Sequence, residues 1–462
     1  MEKSNMSEKT LVRDLTQGSI VKSLLSYAAP LFIANALQAV YNVVDMMVVG
    51  QVEGGLGMAA VSIGGDIIHI VTFLLIGFTG AGQIILSQFV GAKKSEEIKK
   101  MIGTMFVVTF TLSLMMFILC MLLGETFMEL INADVQVRGP AKAYYVTGIC
   151  GVFFIAGYNC ICSILRGMGD SKHPLYFIGI ASILNIILDI VFVAVFRWST
   201  FGASLATVIG QTVSFVIGLV FLYRHKAEFG FDFKRRSFRV HKEVFIPLVK
   251  LGIPMSIQMA AITLSKTVLA AWINDCGWVY TALAGVYNKL SMFIGIITNS
   301  LTTAGGANIA QNIGAAKYHR VPKILFYVFL TTGVLCGICT LAVVLFPTQI
   351  FSMFTTDAQV ISVSGVLVTP LALFFIGGIA RSVGFSLING SGNSKMNLLV
   401  ALLDGIIFRI GLAYLFGFVM EMSVRGFWLG DALAGFMPFV IAAAFFASGR
   451  WKKNSHIIKA ED

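Results

Sequence analysis

Two aspartates, Asp45 and Asp189, stand within long apolar stretches of the sequence. A charge at such a position is costly if the stretch crosses a membrane, and it usually serves a function. Because two carboxylates in a medium of low dielectric constant resist being charged together, the pair is expected to bind a proton or a small hard cation such as Na⁺. Oxygen-bearing side chains lie at helical spacings from them or on neighbouring stretches, namely Gln38, Tyr41, Asn42, Asn159, Ser182, Asn185, Thr207 and Gln211. These polar side chains alternatively serve only as hydrogen bonds between helices.

The second half of the chain has a different set of charged residues in its apolar stretches: Lys266, Lys289, Arg381, Asp404, Arg409 and Asp431. Its positions equivalent to Asp45 and Asp189 are apolar, so ion binding is expected in the first half only. Two roles remain open for the second-half charges. They pair with one another, for example Asp404 with Arg409 or Arg381, or they line a cleft.

The composition of the chain indicates a membrane protein. Of its 462 residues, 57% are hydrophobic and only 12% are charged, whereas soluble proteins have about 25% charged residues. The net charge of +11 comes from basic residues in short loops between apolar stretches, which is typical of membrane orientation. Membrane lipids are therefore the expected partners. Neither a nucleic-acid partner nor a cofactor is expected.

Twelve stretches are long and apolar enough to cross a bilayer, which takes about 20 residues. Basic loops alternate with loops poor in Lys and Arg, and the positive-inside rule places the basic loops and both termini in the cytoplasm. The predicted spans are 24–50, 57–85, 101–124, 143–167, 174–196, 201–223, 246–275, 280–310, 323–346, 360–389, 396–419 and 424–448.

An internal repeat relates the two halves of the chain. Segments 81–94 and 163–172 match segments 304–317 and 386–395, each 223 residues later. Each half has an even number of spans, so both halves enter the membrane from the same side. The repeats are therefore parallel and related by a pseudo-two-fold axis along the membrane normal.

The sequence thus predicts an all-α membrane protein with twelve transmembrane helices in two six-helix lobes. The lobes occupy residues 1–223 and 245–448. A basic cytoplasmic linker, 224–244, joins them, and a cytoplasmic tail covers 449–462. A cleft between the lobes would be lined by amide and methionine side chains, for which the candidates are Gln38, Asn42, Gln211, Gln258, Met259 and Asn288.

Several motifs resemble those of the multidrug and toxic compound extrusion (MATE) family, in particular its bacterial and archaeal branch. The resemblance covers nearly the whole chain, and its most specific parts are Pro30 followed by 41–50 (YNVVDMMVVG), 165–172 (LRGMGDSK), 185–189 (NIILD) and 202–207 (GASLAT). It implies a secondary transporter of the cell membrane, expected to be a monomer, that exports cationic or amphipathic drugs in exchange for H⁺ or Na⁺. Carried over residue by residue, it implies a coupling site at Asp45, Asn185, Asp189 and Thr207, with Tyr41 and Asn159 nearby. These first four residues are also the implied ligands if the ion is Na⁺.

The chain departs from another branch of that family, which has an acidic residue in span 7. Here the stretch from Met259 to Lys266 has no carboxylate. The main alternative is a flippase for a lipid-linked precursor, which would need a large cationic cleft. An enzyme is not expected, because neither an H-E-x-x-H nor a G-x-S-x-G motif is present.

Overall fold

The computed structural model describes residues 12–130, 135–355 and 357–452, and these are almost entirely helical. Most of the predicted tail, from residue 453 onward, lies outside the described residues. Among these described residues, ten helices are long and apolar enough to span a membrane, and a bent helix pair forms an eleventh span. One of the ten helices makes two spans, which brings the number to twelve. Spans 1 to 12 cover 20–53, 55–91, Ser95–Leu130, Val135–Cys150 with Val152–Gly167, Lys172–Val195, Ser199–Arg224, Lys242–Asn274, Trp278–Gly314, Val321–Leu345, Gly365–Gly390, Ser394–Val419 and Ser423–Ala447.

The helix that makes two spans is Ile20–Gly91. It has 72 residues and would be about 108 Å long if straight, over three times the hydrocarbon thickness of a bilayer. It is interrupted at Gly54, whose φ of 66° and ψ of −155° suit only glycine. A Cβ on Gly57 would lie 3.0 Å from Cγ1 of Val49, although eight residues of straight helix extend about 12 Å. The chain therefore turns back at Gly54, as the predicted break between spans 1 and 2 requires.

Span 4 is longer than predicted and is bent. Its halves Val135–Cys150 and Val152–Gly167 meet at an angle of 49° around Gly151. The prediction began at residue 143 because Arg138 and Lys142 give the first two turns a polar composition. The turns that contain Arg138 and Lys142 are nevertheless helical, and they lengthen the span at its N-terminal end.

Spans 5 and 11 occupy equivalent positions in the repeat, and both contain π-helical turns. Asp189 is followed at once by the π-helical segment Ile190–Val195. Span 11 has π-helical segments at Leu403–Phe408 and Leu415–Val419. Such turns are rare and are frequently found at functional sites.

The two lobes pack against each other through a reciprocal contact close to the pseudo-two-fold axis. A Cβ on Gly91 would lie 1.9 Å from the backbone oxygen of Gln311, and a Cβ on Gly314 would lie 2.0 Å from that of Gln88. Gly91 and Gly314 are 223 residues apart, as are Gln88 and Gln311. The repeat seen in the sequence is thus a structural symmetry, and only glycine allows the backbones to approach this closely.

Further hydrogen bonds join the lobes on the same side of the molecule. The Ser23 hydroxyl donates to Oδ1 of Asn308 at 3.0 Å, and the Asn35 amide donates to Oγ of Ser300 at 3.1 Å. The N-terminal segment also belongs to this contact, because the backbone N–H of Leu15 donates to Oε1 of Gln311. This end of the molecule, which the loop charges predict to be cytoplasmic, is therefore closed.

Candidate functional site

Asp45 of span 1 and Asp189 of span 5 are both buried in the first lobe, with 6% and 0% of their surface exposed. They are close enough for their charges to interact. The Tyr144 hydroxyl lies 3.5 Å from Oδ2 of Asp45 and can donate to it. Oδ1 of each aspartate is buried and has no hydrogen-bond partner among the described residues. A buried carboxylate oxygen without a donor is costly, so this pair fits a bound proton or cation.

Asn185 and Thr207 connect span 5 to span 6 beside Asp189. The amide of Asn185 is 3.3 Å from Oγ1 of Thr207. In the orientation that gives both amide atoms a partner, its nitrogen donates to Oδ2 of Asp189 at 3.2 Å and its oxygen accepts from Thr207. The structure thus brings three of the four predicted coupling residues into one hydrogen-bonded chain.

A small cavity lies next to these residues. Its volume is about 10 Å³, roughly what a single water molecule or small ion needs. Oε1 of Gln211 is buried there without a partner among the described residues, which leaves it as a free oxygen acceptor beside the cavity. The cavity is lined by Tyr41, Ala181, Asn185, Thr207, Gly210 and Gln211. This cavity suits a coupling ion and is far too small for a drug.

Asn159 and Tyr41 are predicted site residues that no described hydrogen bond joins to the carboxylates, and Asn159 bonds within its own helix. Its amide donates to the backbone oxygen of Ile155, one turn earlier in span 4. Tyr144 is instead the residue of span 4 that contacts Asp45. It lies about 22 Å from Asn159 along the helix axis. Sequence reasoning missed Tyr144 because the predicted span began at residue 143. A tyrosine at the end of a span is typical of the membrane interface.

The predicted cleft residues fall into two groups. Gln38 and Asn42 of span 1 and Asn288 of span 8 are exposed. Exposed amides at membrane depth are expected to face a water-filled space and not lipid, as the predicted cleft between the lobes requires. This cleft begins one turn beyond the Asn35 bond to Ser300 and opens toward the end opposite the closed one.

The other three cleft candidates are less accessible. Gln211 lies at the ion-sized cavity, and Gln258 is buried with its Nε2 unpartnered among the described residues. Met259 is partly buried.

Four of the six charged residues predicted in the second lobe pair with one another, as the first of the two open roles required: Arg381, Asp404, Arg409 and Asp431. Arg409 is fully buried; its Nη2 lies 2.9 Å from Oδ1 of Asp404, and its Nη1 donates to Oδ1 of Asp431. Arg381 also reaches Oδ1 of Asp404, at 3.3 Å, as the sequence suggested. The Tyr287 hydroxyl donates to the other oxygen of Asp431 at 2.8 Å. The network holds spans 8, 10, 11 and 12 together.

Two helical lobes with pseudo-two-fold symmetry, a cleft between them and two buried first-lobe carboxylates that take part in no described ion pair form an arrangement typical of secondary transporters. The comparisons with known proteins agree. The MatE family model matches the chain twice, at residues 30–191 and 254–415, and together these segments cover more than half of it. The chain therefore belongs to the MATE family, and one of the two matches lies in each lobe.

Individual relatives match over nearly their full length. The chain is 25% identical to the probable multidrug resistance protein YoeA of Bacillus subtilis, over 97% of either chain. It is 26% identical to the probable multidrug resistance protein YpnP of the same organism, over 95% of this chain and 97% of the relative. A solved MATE transporter in an outward-facing conformation superimposes with a TM-score of 0.86 at 20% identity, covering 95% of this chain and 98% of that one.

Proposed function

We propose that the chain exports amphipathic or cationic drugs from the cell in exchange for H⁺ or Na⁺. The observation that carries the proposal is the first-lobe site: two buried carboxylates with unpartnered oxygens, and a cavity sized for one ion that is lined by Thr207 and by Asn185, the hydrogen-bond partner of Asp189. The names of the relatives, which denote multidrug resistance proteins, support drugs as the cargo. Localisation in the cell membrane with both termini cytoplasmic, and function as a monomer, are part of the proposal.

In the proposed exchange, the starting state is the one described above, with one end closed and the other open. With the cleft open on the outer side, an ion from outside reaches Asp45 and Asp189 and neutralises them. Span 1, which contains Pro30, then repacks within the first lobe and weakens the drug site, so that the drug leaves outward. The lobes subsequently reorient, the contact at Gly91 opens, and the ion is released inside.

The energy available from one ion is sufficient for a useful gradient. A single charge moving inward yields about 2.3 kcal/mol per 100 mV of membrane potential. About 1.4 kcal/mol corresponds to a tenfold concentration ratio. At 100 mV, one ion therefore supports a concentration gradient of roughly fortyfold for a neutral drug. In this proposal the carboxylate pair couples the movement of the ion to the movement of the drug, because it is the group whose charge the ion changes.

The flippase alternative requires a large cationic cleft. Arg409 and Arg381 are instead engaged by Asp404, and Arg409 also by Asp431. This pairing neutralises two of the four positive charges in the second-lobe spans (Lys266, Lys289, Arg381 and Arg409) that a lipid diphosphate could use, and it therefore favours drug export.

Cellular efflux assays test the proposal. Asp45→Asn and Asp189→Asn should each abolish drug resistance and ethidium efflux at normal expression in the membrane, because the neutral amide cannot exchange a charge. Asp66→Asn is the matched control, since Asp66 is an exposed aspartate of span 2. It should retain efflux. Full efflux by either of the first two variants would contradict the proposed coupling site.

A further inference from the structure

A second cavity lies at the outer ends of spans 7, 11 and 12, in the second lobe. Its volume is about 440 Å³. Ligand pockets in proteins have volumes of roughly 300–1,000 Å³, so this cavity has room for a ligand. It shares no lining residue with the ion-sized cavity of the first lobe. The coupling site therefore does not explain it.

Three aromatic rings line this outer cavity. The ring of Trp272 is centred 5.3 Å from that of Phe418 and 5.6 Å from that of Phe427, and the two phenylalanine rings are 5.0 Å apart. Phe418 belongs to the second π-helical segment of span 11 and is 48% exposed, so its ring is accessible to a ligand. The face of an aromatic ring attracts an ammonium group.

Two carboxylates line the same cavity. Asp275 directly follows span 7, and Glu421 lies in the turn between spans 11 and 12. Both are exposed, and among the described residues no basic nitrogen lies within 4.0 Å of either carboxylate. The cavity thus combines unpaired negative charge with aromatic surface, and this combination suits an ammonium group.

The surroundings of the cavity favour a membrane lipid as the source of that ammonium group. Exposed apolar residues recur at helical spacing along span 11 and end at the cavity; they are Ile407, Tyr414, Leu415 and Phe418, which are 41% to 57% exposed. Such a stripe is expected to face the hydrocarbon of the bilayer. Trp272 and Tyr414, whose rings are 6.3 Å apart, are the residue types that mark the level of the lipid headgroups.

We infer that the outer cavity binds the headgroup of a phospholipid that carries an ammonium group, such as phosphatidylethanolamine. The ammonium lies between the aromatic rings and the carboxylates of Asp275 and Glu421, and an acyl chain follows the apolar stripe of span 11. The phosphate remains at the rim, near Arg425, which is exposed in the first turn of span 12. The bound lipid links the outer ends of three spans. This inference does not depend on the proposed transport function.

Binding of short-chain lipids to the purified full-length protein in detergent, measured by native mass spectrometry, tests this inference. Dioctanoyl phosphatidylethanolamine should bind about tenfold more tightly than dioctanoyl phosphatidylglycerol, which has the same chains and no ammonium group. Glu421→Gln and Asp275→Asn should each weaken binding of the first lipid about fivefold and should not weaken binding of the second. Glu53→Gln is the matched control, because Glu53 is an exposed carboxylate at the outer end of the first lobe. It should leave both affinities unchanged.

Two further measurements test the aromatic wall and the choice of a lipid. Phe418→Leu keeps an apolar side chain and removes the ring, so it should weaken phosphatidylethanolamine binding about threefold. Glycerophosphoethanolamine, which is the headgroup without acyl chains, should bind at least about tenfold more weakly than the lipid because it buries no hydrocarbon.

Three results would overturn the inference. Equal binding of the two lipids by the unaltered protein would show that the ammonium group is not recognised. Unchanged phosphatidylethanolamine binding in both the Glu421→Gln and the Asp275→Asn variants would show that the lipid binds elsewhere. Equal affinity for glycerophosphoethanolamine and for the lipid would show that the cavity binds a soluble amine and not a membrane lipid.

Discussion

Gly91 and Gly314 each lie against the backbone carbonyl of the glutamine three residues before the other, in a reciprocal contact across the pseudo-two-fold axis. The contact closes one end of the cleft. Neither backbone can move away from this contact unless the lobes separate. A substitution at either glycine therefore affects the closed state directly. Side chains cannot be added there without cost.

Gly91→Ala and Gly314→Ala are therefore expected to destabilise the closed arrangement by similar amounts. Each Cβ would meet a carbonyl oxygen at about 2 Å, and overpacking of this kind costs about 1–3 kcal/mol. The temperature of unfolding in detergent should fall for both variants. Gly333→Ala is the control, because a Cβ at Gly333 meets nothing within 4 Å. A fall for only one of the two glycines would contradict the symmetry of the contact.

Arg409 should be more important for stability than Arg381. Arg409 is fully buried between two carboxylates, and removal of one partner from a buried ion pair costs roughly 3–5 kcal/mol. The Arg381 side chain is 18% exposed and makes one longer bond. Arg409→Leu should thus lower the unfolding temperature far more than Arg381→Leu, as measured by thermal unfolding of the purified proteins. Equal effects would show that the network does not depend on the bridging arginine.

The first-lobe carboxylates could be identified from the sequence, whereas their surroundings could be only partly predicted. Asp45 and Asp189 stood out because charge is rare in apolar stretches. Asn185 and Thr207 followed from helical spacing and from the family resemblance. Tyr144 was missed because its contact with Asp45 depends on the bend and the true start of span 4, which are set by packing against other helices. The break at Gly54 was predictable, since no bilayer accommodates a straight helix of 72 residues.

Tyr144→Phe should alter the ion dependence of transport without unfolding the protein. The substitution removes the hydroxyl 3.5 Å from Oδ2 of Asp45 and keeps the volume of the ring. Efflux rates measured over a range of ion concentrations should show an altered half-saturating concentration of the coupling ion. Tyr145→Phe is the matched control, because the neighbouring tyrosine packs near Gly124 and not near Asp45. An identical shift in both variants would mean that the hydroxyl of Tyr144 has no specific role.

The N-terminal segment should help to hold the closed end together. Leu15 is 1% exposed in the core of the second lobe, and its backbone carbonyl accepts from the amide of Asn312. Leu15→Asp should release the segment, because a carboxylate is strongly disfavoured in an apolar core. A cysteine placed at Asn312 in a cysteine-free chain should then react faster with a membrane-impermeant maleimide. Gln17→Asp, at an exposed position, should leave the labelling rate unchanged. Equal labelling of all three proteins would argue against this role.

Transport into inside-out vesicles under imposed gradients tests the central claim most directly. A gradient of H⁺ or of Na⁺, high in the lumen, is applied separately, and uptake of a fluorescent drug is measured. We predict that one of the two gradients drives uptake by the unaltered chain, and that the same gradient drives none in the Asp45→Asn, Asp189→Asn double variant. Gradient-driven uptake by the double variant, at the rate of the unaltered chain, would contradict the claim that this carboxylate pair couples the ion to the drug.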